Sequence, residues 1–153
     1  MALEKHQARV YIRVLGLSIP VKKNFYTSIY GPTLKNKQGV YAVRTPSLFG
    51  IKALQQWWHM NKARNFSEFK SALAPQDIPG FNISYADKYD TIYYVSNARL
   101  PHRAAGHDWT KVVPGNTRKT LWDSYYGLQD MPQVLQPTSG YVYNTNHSPF
   151  ISS

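Results

Sequence analysis

The sequence predicts an α+β fold with mainly antiparallel strands, two helices and one long loop. Short runs rich in β-branched and aromatic residues alternate with Gly, Pro and Asx turn signals. Helical periodicity is confined to residues 47–74, and residues 100–137 show no periodicity. The chain has 153 residues, 14% of them aromatic, which suits one domain with a packed interior.

Three short strands are predicted before the first helix. Residues 8–15 (ARVYIRVL) are partly alternating and rich in β-branched side chains, as a half-buried strand is. Residues 25–30 (FYTSIY) are similar and end at the turn signal Gly31-Pro32, and residues 39–44 (GVYAVR) are stopped by Thr45-Pro46. Strands joined by such short turns indicate an antiparallel sheet.

The pattern changes to helical after Pro46. Between Ser47 and Ala63 the apolar residues Ile51, Leu54 and Trp58 share one face, with Ala53, Trp57 and Met60 beside it. Because this apolar arc is wide, we expect the helix to be covered on more than one side.

A second helix is predicted to start at Asn65. This polar cap with Glu68 three positions on can satisfy exposed backbone donors, and Phe69, Ala72 and Leu73 follow at helical spacing before Pro75.

The rest of the chain is predicted to be a hairpin, a loop and a last strand. Residues 80–86 and 91–97 are strand-like and flank a tight turn at Asp87–Asp90. Residues 100–137 are expected to form a long loop, which often lies near a functional site. Residues 140–143 are expected to form a short final strand.

Composition excludes some classes of site. The absence of Cys excludes disulfides, thiolate zinc sites and a cysteine nucleophile, and no apolar run is long enough for a signal peptide or membrane span. The net charge is +10, of which residues 1–40 contribute +6 (seven Lys/Arg against one Glu). This excess indicates either a solvated basic face or an anionic partner such as nucleic acid.

The residue pattern alone leaves several sites open. His102 and His107, with Asp108 nearby, form either a loose metal pair without a third ligand or ordinary surface histidines. Trp57-Trp58 either line a ligand pocket or pack in the core. Asn144 and Asn146 share one face if they end a strand, where a neutral amide suits an oxyanion hole, or else they form an Asx turn with His147.

Five segments occur along the chain in a recognisable order. They are TSIYGPTL (27–34), QQWWHMNKARNFSEFKSAL (55–73), ISYADKYDTIYYVSNARLPHR (83–103), GHDW with VVPG (106–115), and LWDSYYGLQDMPQVLQPTSGYVYNTNHSP (121–149). Together they resemble the β-subunit of the penicillin acylase family of N-terminal-nucleophile hydrolases. The family's fold is an αββα sandwich, so the resemblance implies that residues 1–153 are a single partial domain from the central part of such a subunit.

The resemblance also implies roles for particular residues. Asn146, the second Asn of the Asn-x-Asn-x-x-Pro motif, matches the family's oxyanion-hole donor, with Asn144 as a neighbour that shapes the strand end. Trp57 and Phe81 match its acyl-pocket positions. The catalytic nucleophile is the first residue of the family's β-subunit, usually Ser, whereas this chain starts Met-Ala-Leu-Glu. We therefore expect an internal fragment that is inactive by itself.

The implied function is hydrolysis of linear N-acyl amides by the intact enzyme. No cofactor is expected, and most of the family's structural calcium site is expected to lie outside this chain. The implied partners are the N-acyl substrate, the remainder of the β-subunit and the α-subunit, with self-association of the fragment as a further possibility. The intact protein is expected to be periplasmic or secreted. The alternative is a non-catalytic, basic, β-rich module that binds nucleic acid or another anionic partner.

Overall fold

The computed structural model describes residues 2–46, 52–78 and 80–146. These residues form two compact units. Unit 1 contains the described residues up to 46 together with Arg103–Trp122, and unit 2 contains those from 52 to His102 and from Asp123 onward. The N-terminal strands and the two helices therefore belong to different units.

Unit 1 is built on a four-stranded antiparallel sheet in the order β1-β2-β3-β4. The strands are β1 (Glu4–Val14), β2 (Leu17–Ser28), β3 (Gly31–Asn36) and β4 (Gly39–Ala42). The turn predicted at Gly31-Pro32 was wrong, because the chain turns two residues earlier and Pro32 lies in β3 opposite Thr27. Pro32 is tolerated there because it is near the strand start and still accepts a hydrogen bond, from the Val43 backbone N–H at 2.9 Å.

The long β1–β2 hairpin has two chemically different faces. Leu15 (φ 48°) and Gly16 (φ 82°) supply the left-handed pair that a two-residue hairpin turn requires. Residues directly opposite each other share a face, and one face carries three aliphatic pairs: Val10–Val21, Ile12–Ile19 and Val14–Leu17. These six side chains, called the aliphatic face below, are 40–70% exposed. The other face is basic, with pairs such as Arg9–Lys22.

Unit 2 packs two helices against a three-stranded antiparallel sheet. The helices are α1 (Ala53–Lys62) and α2 (Phe66–Leu73), and the sheet has the order β5 (Phe81–Ala86), β6 (Ile92–Asn97), β7 (Gln133–Leu135). The core comprises Leu73, Ile83, Tyr93, Val95, Leu128 and Met131, with Met60, Phe66, Phe69 and Tyr85 packed against it. Burial of these large side chains provides most of the driving force for folding this unit.

The predicted cap of α2 is confirmed. The Asn65 side chain accepts a hydrogen bond from the Glu68 backbone N–H at 2.9 Å, and the Glu68 carboxylate accepts one from the Arg64 backbone N–H at 2.8 Å. The first bond satisfies a donor that the first helical turn leaves free, and the second fixes the backbone just before the cap.

The predicted buried face of α1 is wrong for the described residues. Leu54 and Trp58 are 83% and 60% exposed, and Ile51 lies outside the described part of the chain. The helix instead buries Gln56, whose Oε1 accepts hydrogen bonds from the backbone N–H groups of Asp77 and Ile78 at 2.6 and 2.9 Å. Because Gln56 holds the backbone at Asp77 and Ile78, the side of α1 that carries Gln56 faces inward.

The C-terminal half departs from the predicted pattern in two ways. Residues 140–143 form no strand, and the third strand of the sheet is β7, which lies inside the predicted loop. The loop also contains one-turn 3-10 helices at Arg118–Thr120 and Leu128–Asp130. Despite these changes the predicted α+β class, with antiparallel strands and two helices, is confirmed. No helix in the described ranges has the length and apolar content needed to cross a bilayer.

Candidate functional site

The side chains predicted for the site all belong to unit 2. Trp57 lies in α1, Phe81 is the first residue of β5, and Asn146 lies in the segment after β7. The rings of Trp57 and Phe81 pack edge to face, with centroids 6.0 Å apart and an interplanar angle of 70°. Since both rings are about half exposed (47% and 49%), this ring pair offers an apolar surface to a ligand.

The first two residues of β5 separate this apolar surface from a polar network. Successive strand residues point to opposite faces of a sheet. Phe81 therefore shares a face with Ile83, which belongs to the core beside the helices, and Asn82 points to the other face. The ring pair and the polar network thus start at adjacent residues of one strand.

A chain of hydrogen bonds runs from β6 to the segment that carries Asn146. The Tyr94 hydroxyl donates to Asn82 Oδ1 at 2.9 Å, and Asn82 Nδ2 donates to Asn144 Oδ1 at 3.3 Å. The same Asn144 oxygen accepts the Asn146 backbone N–H at 2.8 Å. Tyr94 is buried, so the network is anchored in the sheet. We call these four residues the amide network.

One of the two sequence interpretations required Asn144 and Asn146 to end a strand. In the structure they do not. The bond from the Asn146 N–H to the Asn144 side chain is an Asx turn, and His147, the third residue of that interpretation, lies outside the described residues. Asn146 has φ 58°, the left-handed conformation that Asn adopts more readily than most residues. Its exposed side chain makes no hydrogen bond within the described residues.

A buried amide lies on the strand next to Phe81. Asn97 is opposite Phe81 in the β5–β6 ladder and is fully buried. Neither its Nδ2 nor its Oδ1 has a hydrogen-bond partner among the described residues. A buried polar side chain without a partner is costly, so this end of the sheet holds a polar group that the packing of unit 2 does not explain.

Unit 2 also has a groove away from these residues. It has a volume of about 610 Å³ and is a polar groove between α1 and α2, lined by residues that include Gln55, His59, Ser67 and Glu68. None of the predicted site residues lines it. The volume of a groove therefore does not identify the site. The ring pair and the amide network remain the better candidate because they combine an apolar surface with convergent polar groups.

The β5–β6 turn contains the residues with the clearest pKa shifts. Burial and a 2.8 Å hydrogen bond to the Asp87 carboxylate raise the pKa of Tyr85 to about 12. Burial alone would raise the pKa of Asp87, but hydrogen bonds from the Tyr85 hydroxyl and the backbone N–H groups of Thr91 and Tyr89 outweigh it and lower the pKa below 3.8. These groups fix the turn and do not form an acid–base pair poised near neutral pH.

The possible histidine metal pair has other contacts. The His102 ring stacks on Tyr126 with centroids 3.8 Å apart, and the His107 ring packs edge to face on Trp109. The described residues contain no group of three or more His, Asp or Glu side chains arranged to hold a metal ion.

Sequence reasoning missed Asn82, Tyr94 and Asn97. Asn is disfavoured in strands. Asn82 and Asn97, which lie in neighbouring pairs of the β5–β6 hairpin, could therefore have been recognised as candidate functional residues. The link from Asn82 to Asn144 spans 62 residues and left no trace in any local pattern.

Known proteins share both the sequence and the structure of this chain. A family model described as penicillin amidase matches residues 3–153. Penicillin G acylase of Escherichia coli is 37% identical over 99 residues, covering 65% of this chain and 12% of that protein. The acyl-homoserine lactone acylase PvdQ of Pseudomonas fluorescens (strain Pf0-1) is 25% identical and covers all of this chain and 23% of that protein.

A solved structure matches the same region. A thermostable penicillin G acylase from Alcaligenes faecalis superimposes with a TM-score of 0.81 at 28% identity, covering 96% of this chain. The present chain spans only 26% of that acylase, as it spans less than a quarter of the two relatives above. The match confirms the fold family that the sequence resemblance implied.

Proposed function

The chain belongs to the penicillin amidase family, and from this premise we propose that it forms part of an enzyme that hydrolyses N-acyl amides. In the proposed reaction the hydroxyl of an N-terminal serine, supplied by polypeptide outside these 153 residues, attacks the amide carbonyl, with its own α-amine as base. The carbonyl oxygen becomes an oxyanion, the amine departs and water hydrolyses the acyl-enzyme. Within this scheme the described residues provide oxyanion stabilisation and acyl binding.

Asn146 is the proposed side-chain donor to the oxyanion. A neutral amide N–H stabilises developing negative charge without adding a group that titrates. The observation that supports this role best is the amide network, which fixes the backbone of Asn146 and leaves its carboxamide exposed. A donor held in advance of the reaction needs little reorganisation when the charge develops.

The ring pair of Trp57 and Phe81 is the proposed acyl-binding surface. Its edge-to-face geometry and half exposure allow an acyl chain or aryl group to cover apolar area that water now contacts. The ring pair lies at the strand start that also leads to the amide network, which suits a substrate whose acyl group adjoins the reacting carbonyl.

The remaining parts of the proposal concern partners and location. We propose that the intact enzyme includes the remainder of a β-subunit and an α-subunit. We also propose that its substrate is a small N-acyl amide of the kind for which its relatives are named, a penicillin or an acyl-homoserine lactone. We also propose that it works in the periplasm or outside the cell. No organic cofactor is required by this chemistry.

The test is a kinetic comparison in the complete enzyme that contains this segment. Asn146→Ala is expected to lower kcat about 100- to 1000-fold with little change in KM, because the lost contact is made mainly in the transition state. Asn61→Ala is the matched control, since Asn61 is exposed on α1 and outside the amide network. Equal kcat values for Asn146→Ala and the parent enzyme would remove Asn146 from the mechanism.

The same assay separates the two proposed roles. Trp57→Ala is expected to reduce kcat/KM about tenfold for substrates with large acyl groups and much less for small ones, since only a large group reaches the ring. A uniform loss across acyl sizes would argue against an acyl-binding role for this ring.

The second candidate function is a non-catalytic basic module. It is favoured by the β1–β2 hairpin, where Arg9 and Lys22 stand opposite each other on the polar face and Lys5 and Arg13 lie on the same face. Such a surface predicts binding to single-stranded nucleic acid that weakens steeply with salt. Salt-sensitive binding together with an inactive complete protein would favour this candidate over the hydrolase.

A further inference from the structure

Unit 1 contains a cavity that shares no residue with the proposed acyl and oxyanion site. Its volume is about 500 Å³, within the range of small-molecule pockets. The walls come from β4 and the residues just after it, and from the 103–122 segment of the same unit. All of its lining residues belong to unit 1, so it is formed within one compact body.

The cavity is lined by cations. Arg44, Arg103 and Lys111 contribute side chains to it, and no described Asp or Glu lines it. Lys111 is paired with Asp108, whose Oδ2 lies 3.2 Å from Lys111 Nζ. Arg103 has no ion pair within the described residues. Arg103 therefore gives the cavity a positive charge that favours an anion.

Aromatic rings form the other part of the wall. Trp109 and Trp122 lie with centroids 6.4 Å apart, and each ring has a guanidinium over it. The Arg103 Cζ is 5.7 Å from the Trp109 centroid, and the Arg44 Cζ is 5.4 Å from the Trp122 centroid. Stacking keeps the in-plane N–H donors of Arg103 available at the edge of an apolar surface.

The base of the cavity is held by a hydrogen-bonded cluster. Tyr30 is buried, and its hydroxyl bonds to the Thr117 carbonyl and lies 2.7 Å from Thr120 Oγ1. Thr120 Oγ1 in turn donates to the Pro114 carbonyl at 2.7 Å. Arg44 is fixed as well, since its Nη1 and Nη2 donate to the Ile29 and Trp122 carbonyls. The cavity is therefore formed before any ligand arrives.

From these features we propose that the unit 1 cavity binds a small organic carboxylate with an apolar body, such as an aryl acid. The carboxylate pairs with the Arg103 guanidinium in the field of Arg44 and Lys111, and the apolar body packs on the Trp109 and Trp122 rings. An inorganic anion would leave the aromatic wall in water, and a neutral aryl compound would leave the cations unpaired. A molecule with both parts uses the whole cavity.

The test is a titration of the isotope-labelled full chain followed by NMR. The four indole N–H signals, from Trp57, Trp58, Trp109 and Trp122, report on the two units separately. Benzoate is the probe, benzamide is its neutral equivalent of the same shape, and inorganic phosphate tests charge alone. We expect benzoate to shift the Trp109 and Trp122 signals with a dissociation constant of about 1 mM, and benzamide to bind at least about tenfold more weakly.

Substitutions test which cation of the cavity binds the carboxylate. Arg103→Gln is expected to weaken benzoate binding about tenfold, whereas Lys37→Gln, a charge change in the exposed β3–β4 turn, leaves it unchanged. If Arg103→Gln does not fold, Lys111→Gln replaces it with an expected weakening of about threefold.

Three results would overturn the proposal. They are no shift of Trp109 or Trp122 with benzoate, equal binding of benzoate and benzamide, and equal binding of benzoate and phosphate. Benzoate that shifts only the Trp57 or Trp58 signals would assign carboxylate binding to the acyl site of unit 2. That outcome removes the unit 1 site while leaving the proposed hydrolase untouched, so the two proposals fail separately.

Discussion

At the scale of single residues, the position of Asn146 depends on a side chain more than 50 positions earlier. Tyr94 holds Asn82, Asn82 holds Asn144, and Asn144 holds the Asn146 backbone. In the proposed mechanism Tyr94, Asn82 and Asn144 are positioning residues, because they act through the backbone of the donor and do not reach the substrate.

Tyr94→Phe tests this dependence and rests on the proposed function. Loss of the 2.9 Å bond to Asn82 is expected to lower kcat by up to about tenfold with KM unchanged, because the amide network loses its anchor in the sheet. Tyr93→Phe is a closely matched control, since the Tyr93 hydroxyl donates a bond of the same length to Gln133 Oε1. Equal effects of both variants on kcat would show that the loss reflects general stability.

At the scale of elements, the β5–β6 turn depends on one carboxylate. Asp87 accepts hydrogen bonds from the Tyr85 hydroxyl and from the backbone N–H groups of Tyr89 and Thr91. These bonds favour the ionised form and outweigh the effect of burial, so the pKa of Asp87 is lower in the folded chain than in the unfolded one. The resulting stabilisation is present above the unfolded pKa and disappears as the pH falls through the folded pKa.

Asp87→Asn is therefore expected to reduce the dependence of the thermal midpoint on pH below about 4. The measurement is a set of melting curves by circular dichroism across the acid range. Asp90→Asn is the control in the same turn, because the Asp90 side chain makes no hydrogen bond within the described residues. Part of the acid dependence will persist, since hydrogen bonds from Thr110 and Lys111 lower the pKa of Asp108 too. If the thermal midpoint of Asp87→Asn fell with acid as steeply as that of the parent chain, Asp87 would not be a source of the acid dependence.

The elements also show how far the sequence was informative. The α2 cap and the β5–β6 hairpin were predictable because their signals are local: Asn65 and Glu68 lie three residues apart, and Asp87 closes a short turn. The segment at 140–143 has the residue types of a strand but does not form one, whereas β7 has only three residues yet pairs with β6. Strand pairing is a long-range property, so local propensity could not rank these two segments.

For the candidate site, the sequence indicated individual residues but not the hydrogen bonds between them. Trp57, Phe81 and Asn146 were chosen from motif resemblance, and their roles stay predictions, although the rings of Trp57 and Phe81 are in contact. The bond from Asn82 to Asn144 was not predictable, because nothing near either residue specifies a partner 62 positions away. The exposure of Leu54 and Trp58 also depended on where Gln56 finds backbone donors.

At the scale of the whole molecule, the aliphatic face of the β1–β2 hairpin departs from an ordinary surface. Six aliphatic side chains in three adjacent cross-strand pairs are 40–70% exposed. Contiguous apolar surface of this kind usually marks an interface. Because the chain spans 26% of the acylase it matches, polypeptide of the intact enzyme is our proposed cover for this face.

The chain by itself is therefore expected to self-associate through the aliphatic face. Replacing the central pair, Ile12→Thr with Ile19→Thr, is expected to shift the chain toward monomer without melting the strand, since Thr keeps a high β-propensity. Sedimentation velocity over a range of concentrations measures the shift. The paired control is Arg9→Thr with Lys22→Thr on the basic face. The contact would have to lie elsewhere if the control variant stopped associating, or if the Ile12→Thr, Ile19→Thr variant associated as strongly as the parent chain.

The alternation of Phe81 and Asn82 along β5 affects how the proposed site can diversify. One residue presents a ring on one side of β5 and the next presents an amide on the other. Under the proposed function, a library that varies positions 57 and 81 is expected to remodel the acceptance of acyl groups while leaving the proposed oxyanion donor in place. A single-residue insertion or deletion in this strand would exchange the two sides and disable both at once.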